Sequence, residues 1–313
     1  MGILKLKPSS KDYLWGGRRL AEHYGKECPG EVLAETWELS CHPAGPSYIE
    51  NGVYAGKTLR EYIDSEGKQV LGKNCQRFED FPILIKFIDA RDNLSIQVHP
   101  DNEYALQHEG QYGKTEMWYV MEAGEGAYLY YGFQKEISKE ELRQRIQEDT
   151  LLDVLYAAPV HKGDVFFIES GTIHAIGKDI LIAEIQQNSD VTYRVYDFGR
   201  IGKDGKKREL HIEKALDVTK REPAARNADS YPHVADCDYF TVDKLNLDGT
   251  VMRRMEGTVT ENSFVSILFL DGEGEIACKG ERLKYQKGDS FFLAAGSGAY
   301  EIVGQCDALV TTV

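Results

Sequence analysis

No Cys-x-x-Cys pair occurs among the six scattered cysteines of this 313-residue chain, so neither a zinc ribbon nor a dithiol redox motif is indicated. Long apolar runs are also missing. The start, MGILKLKPSSKDY, lacks the run a signal peptide needs, and Phe264 to Leu270 is far short of a membrane span. Positive charge is scarce: 37 basic residues face 51 acidic ones, for a formal charge of −14, and no basic run exceeds Lys206-Lys207-Arg208. A nucleic-acid surface needs a concentrated basic field, so that class of partner is excluded, and no membrane partner is expected. Free thiols without a signal sequence point to the cytoplasm. An anionic ligand remains compatible, provided that cations gather locally around it.

What is present reads as short strands punctuated by glycine. In LSIQVHP (94–100) the apolar Leu94, Ile96 and Val98 alternate with Ser95, Gln97 and His99, the period of a strand with two unlike faces. The same reading suits 116–132, 163–177, 180–187 and 192–199, and later 263–280 and 287–296. Helices are few. One is expected from Lys139 to about Leu155, opened by Ser138 with Glu141 three residues on. Others are expected near 58–62 and 212–217.

Two internal matches suggest related halves. Lys162-Gly163-Asp164-x-Phe166-Phe167 recurs as Lys287-Gly288-Asp289-x-Phe291-Phe292, and Gly124-Glu125-Gly126 recurs as Gly272-Glu273-Gly274. The expected fold is mainly β, with two jelly-roll barrels and a small helical insertion near 138–155. The polar stretch 219–231 reads as a linker, which places a first domain at 1–228 and a second at 229–313. Shifted by the repeat, His174 lands on Ala299 and Glu116 on Phe264. The second half therefore lacks the candidate ligands and reads as structural.

Those ligands are Gln97 and His99, two apart on one strand and so on one face, with Glu116 and His174. Imidazole, carboxylate and amide oxygen suit a divalent ion such as Zn²⁺, Mn²⁺ or Fe²⁺, one per chain. The spacing Gly163-x5-Glu169-x-Gly171-x2-His174 resembles the second motif of the cupin superfamily, whose final histidine binds metal. Glu169 stands where that motif has proline, and Lys178 where it has asparagine.

From Lys86 onward the likeness narrows. IKFIDARDNLSIQVHPDNEYA followed by GKTEMWYVMEAGEG resembles the metal-site region of type I mannose-6-phosphate isomerases in their short bacterial form. DYLWGG, AETWELS, GTIHAIG and EIQQNSDVTYRVYDFGR extend the likeness over most of the first two-thirds of the chain. The resemblance implies zinc at His99, Glu116 and His174, with Gln97 as a fourth ligand. It also implies an essential arginine at Arg194 and phosphate contacts at Lys86 and Ser95. The implied reaction is the interconversion of mannose 6-phosphate and fructose 6-phosphate through a cis-enediol, with a sugar phosphate as the partner.

Such an isomerisation needs charge stabilisation at two oxygens and a proton carrier beside C1 and C2. Glu184, Lys114 and a water on the metal compete for the second role, and Glu184 has a rival reading as a partner of Arg194. Arg194 has one as an ion pair with Asp190 or Asp197. Trp15 and Trp37 are candidates to line the sugar pocket. Two other functions share the ligand set: a non-haem cupin oxygenase, which calls for an apolar pocket, and a sugar-binding cupin without turnover.

Overall fold

A computed structural model describes residues 2–202, 205–225 and 232–313. The boundary expected between 228 and 229 lies outside them. The chain is mainly β, in three antiparallel sheets. The six-stranded sheet has the order Val165–Ile168, Glu116–Ala123, Ile180–Gln187, Ile83–Ala90, Glu35–Leu39 and Ser9–Lys11. The five-stranded sheet has the order Tyr193–Tyr196, Ile96–Val98, His174–Ala175, Tyr128–Phe133 and Leu155–Pro159.

The six-stranded sheet is the middle layer, and this explains its composition. Ile180–Gln187 is buried along its whole length, as a strand covered on both faces must be. Its Leu181, Ala183 and Ile185 pack with Phe87, Met117 and Tyr119 against Phe264, Leu268 and Phe292 of the C-terminal half. Its Ile182 joins Ile88, Trp118 and Val120 in a second core against Leu129, Tyr131 and Ala158 of the five-stranded sheet. Glu184 and Gln186 share the face of Ile182, so the polar members of the strand point between the two sheets.

The C-terminal half forms a nine-stranded sheet that also takes strands from the N-terminus. Leu4–Lys7 pairs with Ser290–Leu293 and with Tyr48–Ile49. The first repeat is real in three dimensions. Gly163 and Gly288 both adopt a left-handed φ, +92° and +91°. The N–H of Gly163 donates to Val120 O and that of Gly288 to Phe269 O; Asp164 O accepts from Val120 and Asp289 O from Phe269. The second match differs in context. Gly124 and Gly126 lie between two strands, whereas Gly272 and Gly274 lie inside Val265–Cys278, just after a shift in register.

The expected helix from 139 is shorter than its pattern. It runs Lys139–Gln147, with Ser138 Oγ accepting from the Glu141 N–H. Asp149 then takes a left-handed φ of 59°, and a single 3₁₀ turn follows at Leu151–Val154. The other two expected helices occur at Leu59–Glu66 and Ile212–Val218. No helix among the described residues is long and apolar enough to cross a membrane.

Candidate active site

Pairing between strands assembles the site. On the five-stranded sheet Gln97 lies between His174 on one neighbouring strand and Arg194 on the other. On the facing sheet one row runs Trp118, Glu184, Lys86 and Trp37 across four strands. Glu116 sits two residues before Trp118 and so on the same face.

His99, Glu116 and His174 converge, with ligand atoms all within 4.8 Å of one another. Glu116 Oε1 is 3.3 Å from His174 Nε2 and 3.8 Å from His99 Nε2. Each imidazole is oriented by a backbone carbonyl, His99 Nδ1 on Val191 O and His174 Nδ1 on Thr172 O, both at 2.8 Å. With Nδ1 as donor, each neutral ring turns the lone pair of Nε2 inward. Burial, Lys114 and the neighbouring histidine hold His99 well below its ordinary pKa. Burial brings His174 down to about 4 against the opposing hydrogen bond to Thr172. Both rings are therefore neutral at neutral pH, the state that binds a metal.

A cation fits here. His99 Nε2 and Glu116 Oε1 are buried without a hydrogen-bond partner among the described residues, a costly arrangement that a divalent ion relieves. Two imidazole nitrogens and a carboxylate form a donor set for such an ion. Gln97 lies beside them, but its amide nitrogen, 3.5 Å away, faces His174 Nε2. Ligation through its oxygen requires a half-turn of the amide.

Charged groups surround the triad. Lys114 Nζ is 2.7 Å from Glu116 Oε2 and 3.6 Å from Glu184 Oε1. Lys86 Nζ lies 3.4 Å from Glu184 and 3.8 Å from Glu35. Burial and Glu184 push Glu116 up to about 7, against the pull of Lys114 and Lys86. For Glu184 burial acts upward, but Lys114, Lys86 and the indole N–H of Trp118 (2.9 Å) outweigh it and bring the carboxyl down to about 2. Glu184 is thus a partner of the two lysines.

Arg194 is held differently from both ion pairs considered for it. Its Nε donates to Ser95 Oγ at 3.2 Å and its Nη1 to Glu209 O at 3.1 Å, and no ion pair to it occurs among the described residues. Asp197 is taken by Arg200 and Arg208 instead.

Gln97, Lys86, Lys114, Glu184 and Arg194 line a cavity of about 340 Å³ together with Trp15, Trp37 and Ser95. Trp37 donates to Glu35 at 2.8 Å and lies under the ammonium groups of Lys11 and Lys86, 4.5 and 5.0 Å from its ring centre. Glu35, Arg208 and His211, for which the sequence suggested no role in the site, line the same cavity, as does Asp190. Glu35 was legible as an acidic residue on an otherwise apolar strand face. Arg208 ends a short basic run and His211 immediately precedes a helix, where nothing local marks a pocket.

Comparison with known proteins fits this geometry. The phosphomannose isomerase type I catalytic domain matches residues 3–126, and the mannose-6-phosphate isomerase cupin domain matches 230–313. The mannose-6-phosphate isomerase of Streptococcus mutans is 40% identical over 95% of this chain and 94% of its own. ManA of Bacillus subtilis, a mannose-6-phosphate isomerase, is 36% identical over 98% of both chains. The crystal structure of the mannose 6-phosphate isomerase from Bacillus subtilis superposes with a TM-score of 0.92 at 34% identity, covering all of both chains. The chain belongs to the type I mannose-6-phosphate isomerase family.

Proposed function

We propose that this chain interconverts mannose 6-phosphate and fructose 6-phosphate through a cis-enediol, using one divalent metal, zinc, held by His99, Glu116, His174 and Gln97. The observation that carries the reading is the buried triad with inward Nε2 atoms beside a cavity lined by Lys86, Lys114, Glu184 and Arg194. When bound, the metal supplies positive charge to the oxygens on C1 and C2.

The chain's own groups do the rest. In the aldose-to-ketose direction a proton leaves C2, its bonding electrons form the C1–C2 double bond, and the C1 carbonyl pair moves onto O1, which takes a proton. Loss of the O2 proton then forms the C2 carbonyl as the double-bond pair takes a proton at C1. Glu184 and Lys114, 3.6 Å apart, are assigned this transfer. Arg194, anchored at Ser95 and Glu209 O, keeps N–H groups for the developing negative charge. Ser95 and Lys86 add donors for the sugar's hydroxyl and phosphate oxygens, and Trp15 closes the wall. An oxygenase calls for an apolar pocket, whereas this one is lined by charge. The phosphorylated substrate and six free thiols fit a cytoplasmic enzyme.

A coupled assay of mannose 6-phosphate conversion, before and after chelation with zinc add-back, tests the proposal. Turnover lost on chelation and restored by zinc supports it. Fully metallated, folded protein without turnover overturns it.

A further inference from the structure

His211 stands where the strand Tyr193–Tyr196 meets the helix Ile212–Val218, and it is tied to Arg194 through the backbone. Its N–H donates to Arg194 O at 2.7 Å, and its Nδ1 accepts the Arg194 N–H at 3.3 Å. An Nδ1 that accepts leaves the proton of the neutral ring on Nε2. Nε2 has no hydrogen-bond partner among the described residues, and the half-buried ring lines the cavity together with Ser95, Thr192 and Arg194. Burial, Arg194 and Lys214 lower the pKa of the ring, against Glu209 and Glu109, so the donor is uncharged at neutral pH. An uncharged N–H can stand next to the permanent cation of Arg194 without repelling it, which a second cation cannot do.

We propose that His211 is a substrate-binding residue, donating from Nε2 to an oxygen of the sugar phosphate beside Arg194. The inference rests on the isomerase reading for the identity of its ligand. It assigns the chain a neutral contact at the arginine end of the cavity, remote in sequence from every metal ligand. The competing role, a mere anchor for the Arg194 backbone, uses the other ring nitrogen, and amide substitutions separate the two.

Asparagine at this position keeps an acceptor near Nδ1 but does not reach the cavity. Glutamine reaches the place of Nε2 with an amide donor. In the full-length metallated enzyme, His211→Asn is expected to raise KM for mannose 6-phosphate about tenfold, the scale of one hydrogen bond. It should change kcat much less, and His211→Gln should stay near the unaltered KM. An unaltered KM in His211→Asn, or a KM raised in His211→Gln alone, overturns the proposal.

Calorimetric titration with fructose 6-phosphate reads the same contact as binding and not as a rate, so loss of the isomerase reading is distinguishable from loss of this one. The same tenfold weakening in His211→Asn is expected there, and equal affinity in all three proteins overturns the contact. If neither variant folds, the imidazole Nε2–H resonance of the unaltered protein decides: it must shift on saturation with fructose 6-phosphate, and an unmoved resonance overturns the proposal.

Discussion

Glu184 faces Lys86 directly across two paired strands, and their side chains meet at 3.4 Å between Oε1 and Nζ. Both are buried, and Lys114 approaches the same carboxylate oxygen at 3.6 Å. Removing one member of such a set strands the opposite charge in a poor solvent. Lys86→Met is therefore expected to lower the unfolding free energy by about 3 kcal/mol, the low end for a broken buried pair because Lys114 remains. The urea midpoint at neutral pH measures this. An unchanged midpoint would mean that Lys114 and Trp118 alone satisfy Glu184.

The same network sets an acid limit. Glu184 is held at about 2, so its carboxylate stabilises the folded chain at every pH above its unfolded value. That contribution, on the order of 3 kcal/mol, is lost as pH falls from about 4 toward 2. Glu184→Gln removes it. The stability difference between the two proteins should be constant above about pH 5 and shrink below it. Denaturant midpoints taken from pH 7 to pH 3 give the comparison, and a gap that widens in acid reverses the sign of the argument.

On the proposed ligand set, His99→Ala and His174→Ala should each reduce bound metal from one per chain toward none, as measured by elemental analysis after gel filtration. Both histidines are buried and His174 lies edge-on to Trp118, so the melting temperature of each variant is measured beside its metal content. Stoichiometry unchanged in both variants would eliminate the set.

Arg194→Lys tests geometry at constant charge. A lysine cannot hold Ser95 Oγ and Glu209 O while still offering a flat pair of donors to the substrate. The expected fall in kcat/KM is about a hundredfold, with a melting temperature close to that of the unaltered protein. A variant that retains full activity would show that only the charge matters.

The parts legible in the sequence were those set by local periodicity. Alternation along 94–100 put Gln97 and His99 on one face, while His174 stood out through the resemblance of 163–174 to a cupin motif. Non-local pairing left no such trace. Nothing in Leu4–Lys7 announces that it will pair with Ser290–Leu293, nearly the whole chain away. Short helices such as Arg19–Tyr24 and Asn102–His108 span too few turns for a period to emerge. Arg208 and His211 reach the cavity because of how strands and helices pack, a property of the assembled layers.

The two copies of the Lys-Gly-Asp turn offer a matched pair for a stability test. A Cβ at Gly163 meets nothing within 4 Å, so Gly163→Ala pays only for the left-handed backbone, about 1–2 kcal/mol. At Gly288 the backbone is the same, but a Cβ would lie 2.5 Å from Tyr24 O. That carbonyl belongs to the residue closing the helix Arg19–Tyr24, so the first segment of the chain must shift to relieve the contact. Gly288→Ala should therefore lose at least 1 kcal/mol more than Gly163→Ala, on the scale of an overpacked site. Chemical denaturation of both variants measures the difference. Equal losses would mean that the Tyr24 segment yields freely, and that its packing against the C-terminal half adds little to stability.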